Sequence, residues 1–171
     1  YAKIGSDVEK SFDDNLSKDR NGKLKFINDE FYDLMKSGVK VSRFKLYIAH
    51  LLRSNKINNL MEQEIAEFKK TRKNIGSIIT TNYDNLAEEL FEFDALIGNN
   101  ILLSNPYGSV YKIHGCITDP QKIIATEDDY AKFKNQYELI RAQLLSLFIH
   151  NPIVFLGYNV GDDNIKDLLA T

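Results

Sequence analysis

The spacing of apolar residues before residue 75 is typical of α-helices. We therefore predict three helices. The first would be capped by Asn28 or Asp29 and end at Gly38. The second would cover about residues 41–52, and the third would run from about Ile57 to Lys73. Residues 1–27 are mostly polar, and they predict a surface segment with one short helix around Val8–Leu16. The first part of the chain is thus expected to be helical.

From Gly76 onward the pattern changes to short apolar runs that alternate with amphipathic segments. This alternation predicts parallel βαβ units and an α/β fold class. Thr126 and Asp129 have the spacing of a helix capping box. Strands are expected near residues 77–81, 101–103, 109–113, 122–125 and 152–156, and helices near 85–93, 127–149 with a break, and 163–170. We therefore divide the chain into residues 1–75 and a core of residues 76–171.

Composition excludes several classes of protein. A net charge of −2 gives the chain no general attraction to nucleic acid or to an anionic membrane. The basic residues at 69–73 are interpreted as a solvated helix end rather than a nucleic-acid site. The single cysteine, Cys116, excludes an internal disulfide and a cysteine-rich zinc site. No apolar run reaches membrane-spanning length, and we expect a cytoplasmic protein with no metal site.

Polar or glycine residues follow three of the predicted strands directly. The first strand ends in Thr80-Thr81-Asn82-Tyr83-Asp84, the second in His114-Gly115, and the third in Gly157-Tyr158-Asn159. Because ligands bind at the carboxyl ends of parallel strands, we expect these residues to meet at one edge of the sheet.

His114 is the most suggestive of these residues, because imidazole titrates near neutral pH without help. His50 and His150 lack this context and are interpreted as structural. The Asn82 amide can hold a water molecule, a carboxamide or a ribose hydroxyl, because it both donates and accepts hydrogen bonds. Asp84 has a plainer alternative, since it or Asn85 is expected to cap the next helix.

These segments resemble motifs of the sirtuin family, and they occur in the same order. The segment around Asn82 is similar to the sirtuin Thr-Gln-Asn-Ile-Asp motif, Lys112-Ile113-His114-Gly115 to the strand that ends in the catalytic His-Gly, and residues 157–162 to the glycine segment that contacts the adenosine ribose. Asp128-Asp129-Tyr130 is similar to a stretch in the bacterial branch that serves anti-phage defence, which includes Thoeris proteins and defence-associated sirtuins. The resemblance covers roughly residues 76–169.

The resemblance implies a Rossmann-like, mostly parallel sheet that binds NAD as a substrate. In the defence branch it implies hydrolysis of NAD to nicotinamide and ADP-ribose during abortive infection. A module that senses NAD or ADP-ribose without catalysis and an NAD-dependent protein deacylase remain alternatives. Deacylase sirtuins usually carry a four-cysteine zinc module, so the single cysteine favours the zinc-free hydrolase branch. Residues 1–75 would then be a polar leader and a helical subdomain, with the helical segment 28–73 in the place of the zinc module.

The resemblance also implies roles for individual residues. His114 would be the general base, and Asn82 would hold the ribose or a water molecule. The cofactor-binding residues would be Thr80, Thr81, Asp84, Gly115, Gly157, Tyr158 and Asn159, with Asp84 on the nicotinamide carboxamide and Gly157 and Asn159 on the adenosine side.

Sirtuins also carry a Gly-Ala-Gly-x-Ser phosphate loop, which the nine glycines here do not form. Either this loop lies upstream of Tyr1 or NAD is not bound in the usual way. Because the chain begins without Met, we expect the loop upstream in a longer protein. As partners we expect fused effector or sensor domains, a phage-derived activator and a second copy of the chain, but no membrane and no nucleic acid.

Overall fold

The computed structural model describes residues 2–57, 59–103, 107–136, 138–158 and 166. Within them the chain has the predicted α/β fold, a parallel sheet flanked by helices and preceded by a helical segment. The strands are β1 (Ser77–Thr80), β2 (Asp94–Ile97) and β3 (Ser109–Lys112). The α-helices are α1 (Ala2–Ser17), α2 (Lys25–Lys36), α3 (Arg43–Arg53), α4 (Glu62–Lys70), α5 (Leu86–Phe91), α6 (Glu127–Gln136) and α7 (Glu138–His150). Short 3-10 turns occur at Asn59–Met61, Thr71–Asn74, Gly98–Leu103 and Pro120–Lys122.

The described sheet has the order β1-β3-β2, and both pairings are parallel. Lys112 at the end of β3 lies opposite Thr80 on one side and Ile97 on the other. Every residue of β3 is buried, as expected for a central strand of a parallel sheet that is covered on both faces. The three strands therefore end together, and the loops that follow β1 and β3 are neighbours.

Separate apolar clusters cover the two faces of this sheet. On one face, the 3-10 turn before β3, β3 itself and α7 contribute Ile101, Tyr111, Ile113, Ile140 and Leu144. On the other face, Phe91 at the end of α5 and Phe93 directly before β2 pack with Val110. Ile140 and Leu144 thus pack α7 against the sheet, whereas Leu139 of the same helix is 70% exposed.

The helical segment packs on itself and on the loop that follows β3. Its own core consists of Phe12, Ile27, Phe44 and Leu46. A second cluster joins Ala49 of α3 to Cys116, Ile117 and Ile123, which lie beyond the end of β3. The helices therefore support the carboxyl edge of the sheet, where ligand-binding residues were predicted.

Several predicted elements are confirmed. Strands near 77–81 and 109–113 are β1 and β3, and the helices predicted over 85–93 and 127–149 are α5 and the pair α6 and α7. Gly38 follows the end of α2 with a φ of 80°. The helix predicted over 163–170 lies outside the described residues except for Lys166, which is helical.

Three predicted strands are wrong. Residues 101–103 belong to a 3-10 turn that places Ile101 in the core, and 122–125 pass beside His114 without joining the sheet. Residues 152–156 are mostly exposed, with Val154 78% exposed, and they pair with no strand among the described residues. The strand Asp94–Ile97 was not predicted. A short apolar run does not by itself distinguish a strand from a buried turn.

The beginning of the chain also differs from its prediction. α1 covers Ala2–Ser17 and buries Phe12, so this segment is not simply a surface segment with a short helix. α2 begins at Lys25 without a side-chain cap, whereas Asn28 accepts a hydrogen bond of 2.7 Å from Arg43. Asn28 and Asp29 are therefore not caps, because a tertiary contact uses Asn28 and a Lys25 ion pair uses Asp29.

We predict that Gly5→Ala destabilises the protein, although Gly-to-Ala changes inside helices usually stabilise by about 1 kcal/mol. A Cβ at Gly5 would lie 1.7 Å from the carbonyl oxygen of Ala125, so α1 would have to move away from that segment. Urea unfolding should show a loss of about 1–3 kcal/mol. Ser11→Ala, on an exposed position of α1, is the control and should not destabilise. A Gly5→Ala protein more stable than wild type would contradict this packing.

Candidate functional site

The loops after β1 and β3 are joined by hydrogen bonds beyond the ends of their strands. We call residues 81–85 the β1–α5 loop and residues 113–119 the β3 loop. The N–H of Ile113 donates to the carbonyl of Thr80 over 3.1 Å, and the N–H of Ile117 donates to that of Tyr83 over 2.9 Å. The parallel pairing of β1 and β3 therefore continues as contact between the two loops that carry Asn82 and His114.

The β1–α5 loop is held by its own polar groups. The N–H of Asn82 donates to the Thr80 hydroxyl at 3.1 Å, and the N–H of Leu86 donates to Asp84 Oδ1 at 3.1 Å. The Asp84 carboxylate therefore accepts from the first N–H of α5, whereas Asn85 occupies the N-cap position and makes no side-chain capping hydrogen bond. The Asn82 residue is exposed, and Thr81 is half-buried. The loop thus leaves the Asn82 side chain at the protein surface.

The neighbours of Asp84 in this loop are anchored to the segment beyond β3. The Cys116 thiol donates to Asn85 Oδ1 at 3.1 Å, and the Tyr83 hydroxyl donates to the carbonyl of Ile124 at 2.7 Å. Burial raises the pKa of the Tyr83 hydroxyl, and the nearby Tyr130 and Asp129 raise it further. Tyr83 therefore stays protonated and remains a hydrogen-bond donor. The buried Cys116 thiol therefore helps to hold the β1–α5 loop.

His114 is buried, with 4% of its surface exposed. Its ring meets two aromatic rings of α6 edge-on, those of Tyr130 and Phe133, at centroid distances of 5.4 and 6.0 Å. Its main-chain carbonyl accepts a hydrogen bond of 2.9 Å from Ile124. These two rings therefore contribute to the burial of the imidazole, and a ligand can reach it only if some of its neighbours move.

Gly115 has a structural requirement for glycine. Its φ is 91°, and a Cβ at this position would lie 2.3 Å from the carbonyl oxygen of Lys122. The close approach of residues 122–124 to the β3 loop thus depends on the missing side chain. Packing against Lys122 is therefore enough to require a glycine after His114, whether or not a ligand binds.

The start of α6 is tied to the helical segment by a buried ion pair. Lys45 Nζ of α3 lies 2.6 Å from Asp129 Oδ1, and the two side chains are 11% and 12% exposed. Asp129 Oδ2 accepts from the N–H groups of Ala125 and Thr126 at 3.1 Å each, and the Thr126 hydroxyl accepts from the N–H of Asp129 at 3.3 Å. The predicted capping box is confirmed, and its carboxylate also holds α3.

The pKa of Asp129 reflects these contacts. Burial of the carboxyl group tends to raise the pKa, but the Lys45 hydrogen bond, the N–H of Ala125, the Lys45 charge and the N–H of Thr126 together lower it below 3.8. A second contact joins α1 to the same place, since the Ser6 hydroxyl accepts a 2.9 Å hydrogen bond from the N–H of Glu127. The helix whose rings cover His114 is therefore fastened to both α1 and α3.

The third predicted segment follows α7. Gly157 has a φ of 59°, and a Cβ there would meet nothing within 4 Å. Tyr158 packs against the cluster that contains Ile101 and Tyr111. Asn159 lies outside the described residues. The convergence of this segment with Asn82 and His114 remains a prediction.

No group of three or more His, Cys, Asp or Glu side chains is placed to hold a metal ion in the described part of the chain. Among the same residues, no helix has the length and apolar character needed to span a membrane.

A parallel sheet with joined polar loops at its carboxyl edge defines an α/β domain of the ligand-binding kind. Residues 76–171, which are more than half of the chain, match the family model of the SIR2-like domain. The chain belongs to this family, and the predicted resemblance to sirtuin-like domains is confirmed.

The curated relatives similar to this chain include a defense-associated sirtuin and two NAD(+) hydrolases. The chain is 33% identical over 105 residues to defense-associated sirtuin 2 of Bacillus subtilis, covering 56% of this chain and 10% of that protein. It is 32% identical over 100 residues to the NAD(+) hydrolase ThsA of Enterococcus faecium, covering 53% and 21%. It is 26% identical over 104 residues to the ThsA of Acinetobacter baumannii, covering 56% and 22%. The matched segment thus spans between a tenth and about a fifth of these relatives.

We predict that Asp129→Asn destabilises the protein by about 3 kcal/mol at pH 7, because it removes the negative charge that pairs with the buried Lys45 ammonium. The control is Asp33→Asn, which breaks the ion pair with Lys36 at two side chains that are each 76% exposed. This control should change stability by less than about 1 kcal/mol. Urea unfolding measures both, and equal effects of the two variants would contradict the buried pair.

The Asp129 contribution should also depend on pH. Because the folded state lowers the pKa of Asp129 below 3.8, the stabilisation is complete above that pH and is lost as the pH falls through the folded-state pKa. The advantage of the wild type over Asp129→Asn should therefore shrink on acidification in unfolding curves measured at stepped pH. An advantage that grows as the pH falls would show that the sign is wrong.

Proposed function

We propose that this domain hydrolyses NAD to nicotinamide and ADP-ribose within an anti-phage defence protein. The observation that carries the proposal is the hydrogen-bonded contact between the β1–α5 loop and the β3 loop at the carboxyl edge of a parallel sheet. Such an edge is where α/β domains bind nucleotides. The names of the relatives supply the substrate and the setting, since two are NAD(+) hydrolases and one is a defense-associated sirtuin.

In this proposal the exposed Asn82 amide holds the nicotinamide ribose or the attacking water molecule. Asp84 Oδ1 already accepts from the N–H of Leu86, and the other carboxylate oxygen would accept a hydrogen bond from the nicotinamide carboxamide. Thr80, Thr81 and Gly115 would form the wall of the pocket. Gly157, Tyr158 and Asn159 would contact the adenosine side.

His114 would act as the general base. Cleavage of the nicotinamide–ribose bond develops positive charge on the sugar, as in other glycoside cleavages. Removal of a proton from a ribose hydroxyl or a water molecule by the imidazole would assist this step. Because Tyr130 and Phe133 cover the ring, the active state requires these α6 side chains to move, as lids do in other enzymes. A phage-derived activator would favour that open state.

The burial of His114 also favours a second candidate function. A domain that binds NAD or ADP-ribose through its exposed Asn82 loop, with the imidazole kept under α6, would act as a sensor without catalysis. Both functions require NAD binding, but only the hydrolase requires His114 to meet the substrate. Binding and turnover must therefore be measured on the same protein.

We predict that His114→Ala in the full-length protein lowers the rate of nicotinamide release at least about 100-fold, because a positioned acid–base group contributes this much or more. NAD affinity, measured by calorimetry, should change far less. The matched control is His150→Ala, whose imidazole contacts the Ser146 carbonyl at the exposed end of α7. That variant should keep wild-type turnover.

The outcomes separate the two functions. Near wild-type nicotinamide release by His114→Ala would remove this residue from the mechanism. A wild-type protein that binds NAD but leaves it intact, even with activator present, would support the sensor and overturn the hydrolase.

A further inference from the structure

The ammonium group of Lys112 is buried beneath the β1–α5 loop. Lys112 is the last residue of β3, and its side chain is 0% exposed. Its Nζ lies 3.1 Å from Glu88 Oε1 of α5, whose side chain is 12% exposed. The same ammonium donates a hydrogen bond to the main-chain carbonyl of Asp84. One buried charge thus joins the central strand, α5 and the loop between β1 and α5.

Stability alone does not explain a buried pair of this kind. Removing two charges from water is unfavourable, and apolar residues of similar size are often as stable or more stable. What an apolar pair could not reproduce is the hydrogen bond to the Asp84 carbonyl. The distinctive effect of Lys112 is therefore on the main chain of the loop.

The location of this contact matters for the loop as a whole. Tyr83 and Asn85 are anchored to the β3 loop through Ile117 and Cys116. Asp84 lies between them, and its carbonyl is anchored to β3 itself through Lys112. Loss of this anchor would let the peptide between Asp84 and Asn85 rotate, which would turn the Asp84 carboxylate and shift Asn82.

We propose that Lys112, held by Glu88, is a positioning residue for the nucleotide site. It fixes the Asp84 carbonyl and thereby orients the Asp84 carboxylate and the Asn82 amide toward the nicotinamide ribose end of NAD. The inference rests on the proposed function for its ligand, but the ordering of the loop is measurable without any ligand.

The test replaces both charges together, because Lys112→Met alone would leave the Glu88 carboxylate buried and unpaired. We predict that Lys112→Met/Glu88→Leu in the full-length protein keeps a melting temperature close to wild type. Its KM for NAD should rise about 10- to 100-fold, the effect of losing a hydrogen bond to a charged group. Its kcat should fall less than that of His114→Ala, because the imidazole is unaltered and only the loop that carries Asn82 is shifted. A KM equal to wild type would overturn the proposal.

The matched control removes an ion pair that is distant from the loop in sequence. Arg53→Met/Glu30→Leu breaks a contact of 3.7 Å between α3 and α2. This variant should leave the KM for NAD unchanged. An equal rise in KM in both double variants would show a general loss of structure and would overturn the specific role of Lys112.

Hydrogen exchange without ligand gives the second readout. The amides of residues 82–86 should exchange faster in Lys112→Met/Glu88→Leu, whereas the amide of Ile113, which donates to Thr80, should keep its protection. Unchanged exchange across the loop would overturn the proposal even if KM rose. If the double variant shows faster loop exchange but the wild-type protein does not bind NAD, the proposed function is refuted. Lys112 then remains the residue that orders the loop.

A second variant covers a failure to fold. Lys112→Gln/Glu88→Gln keeps polar amides at both positions but removes the charged donor. The same rise in KM and the same faster loop exchange are expected, and wild-type values of both would overturn the proposal.

Discussion

The parallel pairing of β1 with β3 determines which polar residues meet in this domain. Because Thr80 lies opposite Lys112, the residues two positions further along, Asn82 and His114, lie at matching positions in neighbouring loops. Hydrogen bonds from Ile113 and Ile117 extend that pairing past the strand ends. A shift of the register by one residue would move the side chains of either strand to the other face of the sheet and separate the two loops. The register of the sheet therefore determines which side chains can meet at the candidate site.

The helical segment before β1 contributes to the site through its contacts with α6. The Lys45–Asp129 ion pair and the Ser6 contact with Glu127 hold the start of α6 against α3 and α1. The same helix carries the rings that cover His114. Contacts outside the SIR2-like match at residues 76–171 therefore help to position the helix whose rings pack against the imidazole. A change that loosens α6 would act on the site without touching its polar residues.

Local signals in the sequence predicted the α/β class, β1, β3 and the Thr126–Asp129 capping box, since each depends on residues close together in the chain. Longer-range contacts decided what was missed. Residues 101–103 were expected to form a strand, but they form a turn that places the apolar Ile101 in the core. Residues 152–156 were also expected to form a strand, but they have no neighbouring strand in the described part of the chain. The sequence places Lys112 in the strand that ends in His-Gly, but it does not show that the lysine is buried, because burial depends on α5 and the β1–α5 loop. Its partner Glu88, likewise, becomes visible only when α5 is packed on the sheet.

The central claim is that the β1–α5 loop and the β3 loop form one dinucleotide site. The most direct measurement is an experimental structure of the full-length His114→Ala protein with intact NAD. The account predicts the nicotinamide ribose or its carboxamide within hydrogen-bond distance, about 3 Å, of Asn82 and Asp84, with the α6 rings displaced from the position they hold over residue 114. NAD bound away from both loops, with the α6 rings still in place, would contradict it.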